Sequence, residues 1–342
     1  MILDGPGDLG PWPKCRQALL DRGTTPQMAA ELRRFCEEIS DGDRIVLRVG
    51  LSKVFGVGRV VGDYEWNEAF GDVDGWRIQH VRRVRWHWIA PSGQPMQFAG
   101  TPMKIGTTQR LDAPAVLTWA DGVEAKPSTG PLPLLPTRTE PLELDRLMEH
   151  LFFHGLGAAS LSELQSKVSD IIQLSRWYDA RQEDPSESET VSHLVMPLLR
   201  ALGWSAQFAA VEWQKLDIAL FKRLPRGDES LDTVVEVKKR GSSLTRALGQ
   251  AQGYANGSGR VNCGRIILTD GIRYSIFVRR EDGSWPPTPE AYLNLTRLQD
   301  SYPVLGCQGA TAAFMLLSRD WDEGFTSGRN SKKRASRVSW SG

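Results

Sequence analysis

Cysteine is scarce in this chain and widely scattered. Cys15, Cys36, Cys263 and Cys307 form no C-x-x-C pair, which excludes a zinc knuckle and a disulfide framework and predicts reduced, mostly buried thiols. No apolar run approaches the ~20 residues that a bilayer-spanning helix needs. The opening MILDGPGDLGPW has no basic stretch followed by an apolar one, so the expectation is a cytoplasmic protein with no membrane partner. A phosphate-binding G-x-x-x-x-G-K-[ST] is missing, as is the length for a motor, which excludes ATP-driven translocation by this chain alone. Excess charge is missing too. The formal net charge of +1 gives no global argument for nucleic acid.

What the chain does have is length for two ordinary cores: 342 residues, 40% of them hydrophobic. Its positive residues gather locally, at Arg77 to Arg85, Lys238 to Arg240, Arg279 and Arg280, and Arg329 to Arg337. Each cluster could be a solvated face or a phosphate contact. Twelve tryptophans serve either a well-packed core or stacking walls for bases. Prolines 127, 131, 133, 136 and 141 forbid a helix interior or central strand between Ala125 and Leu142. The chain therefore reads as an N-terminal α+β domain (1–124), a Pro-rich linker (125–142), connecting helices (143–182), an α/β domain (183–320) and a disordered basic tail (321–342).

In the first domain, Thr25-Pro26 opens a helix with Met28, Leu32 and Phe35 on one stripe. Strands follow over Arg44 to Val49, Gly56 to Tyr64 and Ile78 to Ile89, punctuated by glycines that suit a small, strongly curved barrel-like sheet. Alternation puts Val84, Trp86 and Trp88 on one face and Arg83, Arg85 and His87 on the other, a pattern that a core strand with a solvated outer face would share. From Phe35 to Trp88, the run F-x-x-x-I-x-x-G-D-x-I-V-L-R, then G-V-G-R-V-V-G-D-Y, then R-R-V-R-W resembles PUA-like or EVE-like domains, which read modified bases. The resemblance implies a base pocket but fixes none of its residues; the aromatic candidates in this sequence are Tyr64, Trp66, Trp86 and Trp88, with Arg83 and Arg85 as candidate phosphate contacts.

Leu142 to Phe153 and Leu161 to Tyr178 read as helices. His150 and His154 stand at i and i+4, but without an acid between them they are ordinary helix histidines. Next, Asp184 as N-cap, Pro185 at N1 and Glu187 at N3 predict a helix that ends before Gly203. A wheel at 100° per residue turns Glu187 toward the buried stripe of Val191, Leu194, Val195 and Leu198, with Glu189 nearly opposite.

The strand around Leu216 to Phe221 is apolar except for Asp217, and Thr233 to Val237 runs into an acid-x-lysine pair, Glu236 and Lys238. A following helix carries Gln250 and Tyr254 at i and i+4. Strands Arg265 to Thr269 and Tyr274 to Val278, joined by an Asp270-Gly271 turn, complete an α-β-β-β-α-β order with a further strand. In that order, Glu187, Thr190, the run Pro197 to Trp204, Asp217, Glu236-Val237-Lys238-Lys239 and Gln250-x-x-x-Tyr254 resemble the PD-(D/E)XK nuclease superfamily. Within it they resemble the nuclease domain of type I restriction endonuclease subunits. The resemblance implies a restriction-endonuclease-like α/β fold, a mixed sheet flanked by helices. It also implies Mg²⁺ or Mn²⁺ held by Asp217, Glu236 and the Val237 carbonyl, with Lys238 beside the attacking water. Glu187, Gln250 and Tyr254 would support the site, and Lys239 and Arg240 would meet the DNA backbone. The expected function is a metal-dependent endonuclease acting on modified or foreign DNA in phage defence. A homodimer and separate partner subunits are both compatible with it. The alternatives are a noncatalytic DNA-binding module on the same fold, or an RNA-directed nuclease.

Overall fold

A computed structural model of the chain describes residues 9–91, 94–98, 106–123 and 130–320. The expected disordered tail lies outside the described residues. The chain divides into two units between Arg138 and Thr139.

The N-terminal unit begins with α1 (Cys15–Asp21) and α2 (Pro26–Arg33), the latter running on into a π-wound turn, Arg34–Glu38. Thr25 caps α2 as expected, its hydroxyl accepting the Met28 N–H at 3.3 Å. Leu32 and Phe35 are buried, but Met28 is 57% exposed and leaves the predicted stripe. The strands are β1 (Arg44–Val49), β2 (Lys53–Val60), β3 (Glu65–Trp66), β4 (His80–Val81), β5 (Val84–Ile89) and β6 (Met96–Gln97). Helix α3 (Pro114–Gly122) follows them. Among the described residues the larger sheet runs β1-β2-β5 with β6 also on β2, so it is an open sheet and the expected barrel is not closed.

The Pro-rich segment, described from residue 130, is bonded along this unit. Arg83 and Arg85 donate to the carbonyls of Pro133 and Gly130, Asn67 Nδ2 to that of Pro136 at 3.1 Å, and Arg138 pairs with Glu68 at 2.6 Å. An extended proline-rich segment makes no helix or ladder bonds of its own and presents its carbonyls sideways to donors.

The second unit is a three-layer α/β/α arrangement. Helices α4 (Leu144–Phe153) and α5 (Ala158–Arg181) precede a continuous helical run made of α6 (Glu187–Glu189), a π-wound stretch Thr190–Val195, and α7 (Met196–Ala201). Then come β7 (Ala209–Trp213), β8 (Leu216–Phe221), β9 (Leu231–Val237), α8 (Leu248–Ala255), β10 (Arg265–Thr269), β11 (Arg273–Val278), β12 (Ala291–Asn294), β13 (Ser301–Tyr302), β14 (Cys307–Gln308) and α9 (Ala310–Leu317). The eight-stranded sheet has the order β13-β14-β12-β11-β10-β9-β8-β7. β9 and β10 are parallel, joined by the crossover through α8, while β7, β8 and β9 are antiparallel neighbours.

Leu147, Leu164, Leu198 and Phe314 pack with Ile218, Val235, Ile267 and Ile276 on one face. Ala251 and Ala255 of α8 pack with Ala219, Val234, Ile266 and Phe277 on the other. Covered on both faces, the central strands carry near-continuous apolar runs in place of a clean alternation. The β10–β11 turn lies against the helix that carries Glu187: Gly271 has φ +85°, and a Cβ there would stand 2.6 Å from Leu194 and 3.1 Å from Thr190. Gly271→Ala is therefore expected to lower the unfolding free energy by about 2 kcal/mol or more through overpacking and a disfavoured φ. Urea denaturation followed by circular dichroism measures it; an unchanged midpoint would contradict this packing.

Candidate active site

Strand β8 starts from a two-residue hairpin turn, with Trp213 paired to Leu216 across Gln214 (φ 48°) and Lys215 (φ 71°). Two successive left-handed residues match a type I′ turn, usually built from Asn and Gly. Here the Gln214 side chain is held by Arg260, which donates to its Oε1 at 2.8 Å. The turn delivers Asp217 as the second residue of β8. Ile218 lies opposite Val235 and Ala219 opposite Val234, so the same antiparallel register puts Asp217 across from Glu236.

The Asp217 carboxylate accepts the Val237 N–H through Oδ2 at 2.7 Å and so bonds to the end of β9. Glu236 is only 2% exposed. Its Oε1 accepts the Lys238 ammonium at 2.6 Å, while its Oε2 is buried with no hydrogen-bond partner among the described residues. An unsatisfied buried acceptor costs about 1–3 kcal/mol, and more when charged. Burial pushes the Glu236 carboxyl upward from its ordinary pKa. The Lys238 hydrogen bond opposes that, and the charges of Asp217 and Glu187 add to the rise, so the net direction is up. Burial pulls Lys238 down, but its bond to Glu236 and the charges of Glu236, Asp217 and Glu187 prevail and hold it above its usual range. Lys238 is thus a fixed cation.

Glu187 acts on both groups, which puts it in the same electrostatic neighbourhood, yet it is exposed and does not face the core as the wheel predicts. The reasons are local. The N-cap is Ser186, not Asp184, and Glu189 closes a capping box with it, its carboxylate accepting the Ser186 N–H at 2.8 Å. The next residues wind as a π-helix, so a constant 100° step loses its phase between Glu187 and Leu198.

These residues suit a divalent cation. The orphaned Glu236 oxygen and the second carboxylate across the register supply hard oxygen donors. Among the described residues no group of three or more His, Cys, Asp or Glu side chains is placed to hold an ion. A two-carboxylate site completed by backbone oxygen and water is the pattern of Mg²⁺, which keeps several of its waters.

Gln250 and Tyr254 stand on α8 as predicted, with Gln250 Nε2 donating to the Tyr254 hydroxyl at 3.2 Å. Lys239 is exposed. Arg240, expected on the DNA backbone, is instead a strut: it donates to the Ser175 carbonyl at 2.9 Å, pairs with Asp179 and lies 5.9 Å from the Tyr178 ring. The sequence reading missed a clamp behind the Lys238 loop. Asp270 accepts the Arg273 guanidinium at 2.7 Å and the Gly241 N–H at 3.1 Å, and Arg273 also donates to the Ser242 carbonyl at 2.6 Å. Its sequence signal is the D-G-I-R turn, in which the arginine returns to the aspartate that starts it.

The aromatic residues of the N-terminal unit do not converge as predicted. Residue 87 is a bulge: Trp88 pairs with Val57 but Trp86 with Gly58, so the two indoles leave β5 on opposite faces. Trp88 packs beside Val57 and meets Trp119 edge-on at 6.1 Å. On the other face, a Cβ at Gly56 would stand 3.1 Å from the Trp86 ring. Tyr64 accepts the Trp12 N–H at 3.2 Å, bonds His80 Nδ1 at 2.8 Å and packs on the cluster of Trp12, Leu19 and Phe35. Trp66 pairs with His80 across β3 and β4. Arg83 and Arg85, expected on phosphates, hold the proline-rich carbonyls instead.

The raised pKa of Glu236 has a thermodynamic consequence in metal-free protein. The unfolded chain releases this proton first, so stability falls as pH rises from the ordinary glutamate range through the folded value. The Lys238 contribution is fully present below its unfolded pKa and is lost only in alkali. Glu236→Gln, which keeps an acceptor for Lys238, is expected to lose that falling slope and to exceed the wild type in stability at neutral pH with chelator present. Urea midpoints across pH 4–8 check it, and parallel curves for the two proteins would contradict it.

Residues 12–112 match the model of a family described as a domain of unknown function, DUF8426. No curated protein matches the chain, and no solved structure does.

Proposed function

We propose that this chain is a metal-dependent DNA endonuclease of the restriction type, acting on modified or foreign DNA, with the second unit cutting and the first selecting. The observation that carries the reading is the buried Glu236 carboxylate, one oxygen bound to Lys238 and the other without a partner among the described residues, opposite Asp217. A carboxylate kept in that state is at odds with stability and consistent with a site that a cation completes.

Asp217, Glu236 and the Val237 carbonyl would hold Mg²⁺ or Mn²⁺. When bound, the ion supplies Lewis acidity toward a phosphodiester and a lowered pKa for its water. The chain's own residues do the positioning. The Val237 N–H fixes the Asp217 carboxylate, and the Asp270–Arg273 clamp holds the loop after β9. Lys238, charged across the physiological range and aimed by Glu236, offers a point donor to negative charge developing on the phosphate. Glu187 adds negative potential, and Lys239 is open to the strand. By the family resemblance, products carry 5′-phosphates.

With supercoiled plasmid and Mg²⁺, the wild type should nick or linearise DNA, and chelator should abolish this. Lys238→Ala should slow cleavage by about 100-fold or more, the scale for removing one preorganised electrostatic donor. Undiminished cleavage by the folded Lys238→Ala protein would refute the mechanism. Methylated, hydroxymethylated and plain DNA compared side by side test the selecting half, and equal rates on all three would remove it. Mg²⁺ should also raise the melting temperature of the wild type and not of a protein carrying both Asp217→Asn and Glu236→Gln.

A further inference from the structure

The N-terminal unit contains a cleft of about 800 Å³, within the ~300–1,000 Å³ range of small-molecule sites. None of the four aromatic residues expected to form a pocket lines it. Its walls come from the end of the π-wound turn after α2, the edge strand β1, residues 107–111 and α3. Val46, Leu111 and Val116 make an apolar wall backed by the cluster of Val54, Val57 and Phe98.

The charged groups of the lining are engaged with one exception. Arg34 donates to the Thr108 carbonyl at 2.6 Å and pairs with Glu38 at 3.6 Å, Arg44 pairs with Asp121, and Arg48 donates to the carbonyls of Gly50 and Gly106. Of the acids, Glu38 also pairs with Arg33 at 2.6 Å, and Asp43 accepts the Ser40 N–H at 2.8 Å. Arg110 is the exception: it is exposed and has no ion-pair or hydrogen-bond partner among the described residues. Two residues away in the same wall, Thr108 is 4% exposed and its hydroxyl has no partner among the described residues.

An apolar wall, an unpaired neutral hydroxyl and one unpaired guanidinium describe a ligand with a flat apolar body, a hydrogen-bonding edge and one anionic group. A hydrocarbon tail would leave the hydroxyl unsatisfied, and inorganic phosphate would leave the wall uncovered. We propose that this cleft binds a nucleoside phosphate, the base against Val46, Leu111 and Val116 and the phosphate on Arg110. The source of that nucleotide is a free metabolite or a nucleic-acid strand. The assignment is independent of the nuclease reading.

Isothermal titration calorimetry on the full chain without metal tests it. The probes are deoxynucleoside 5′-monophosphates, the same nucleosides without phosphate, inorganic phosphate and a short single-stranded oligodeoxynucleotide. Saturable binding of a monophosphate or of the oligonucleotide at about 1 mM or tighter is expected, with nucleoside and inorganic phosphate about tenfold weaker. Arg110→Gln should bring the phosphate-bearing ligand down by about tenfold, and Leu117→Trp, which narrows the cleft, should weaken both kinds of ligand. Binding of the monophosphate assigns a free nucleotide, and binding of the oligonucleotide alone, weakened by Arg110→Gln, assigns a strand in the cleft. Failure of every probe to saturate, or wild-type affinity in both variants, overturns the proposal. The readout is metal-free binding that responds to Arg110→Gln and Leu117→Trp, and cleavage does not enter it, so a failed nuclease reading and a failed cleft give different results.

Discussion

A carboxylate placed on a strand covered on both faces governs the second unit. β9 lies between β8 and β10, and every one of its residues is buried, Glu236 included. The strand could carry an apolar residue there at lower free energy. Instead, two neighbouring features accommodate the charge, an ammonium two residues on and a clamp on the exit loop, while the Asp217 carboxylate across the register opposes it. Removing the charge would relieve the strand and leave those supports without an object. That asymmetry, in which local stability is given up at one residue and defended around it, is what the proposed function would ask of a fold.

The parts of this arrangement that were legible in the sequence are the local ones. Strands Arg44–Val49 and Arg265–Thr269 occur over the predicted residues, because apolar runs bounded by turn signals mark them. That Asp217 and Glu236 stand on neighbouring strands was legible from two apolar runs adjacent in sequence, but their register was not, because the connection over residues 222–230 and a shift between Leu220 and Phe221 intervene. What was not legible depends on departures of one residue. A π-wound stretch rotates the phase of the helix before Leu198, a capping box moves its start to Ser186, and a bulge at His87 reverses the side on which Trp88 emerges. A wheel or an alternation assumes an unbroken period, which a π-wound turn or a bulge interrupts.

Arginine was the residue type most easily misread. Arg83, Arg85 and Arg240 stand in basic clusters that suggest phosphate, yet each donates to backbone carbonyls or side chains of its own unit. A planar guanidinium with five donors is as well suited to tying down a loop that lacks secondary structure as to meeting an anion. Counting positive charge along a sequence therefore overstates the charge available to a partner. In the N-terminal unit the distinction leaves Arg110 conspicuous, because its neighbours in the wall are already engaged.

The extra residue in β5 has an effect beyond the aromatic side chains it redirects. With Trp86 seated over Gly56 on one side and Trp88 packed among aliphatic and aromatic neighbours on the other, a six-residue strand passes through the sheet like a rivet with a head at each end. The two faces of the open sheet are then mechanically joined, and a loss of order on either would loosen its opposite through the same short piece of backbone.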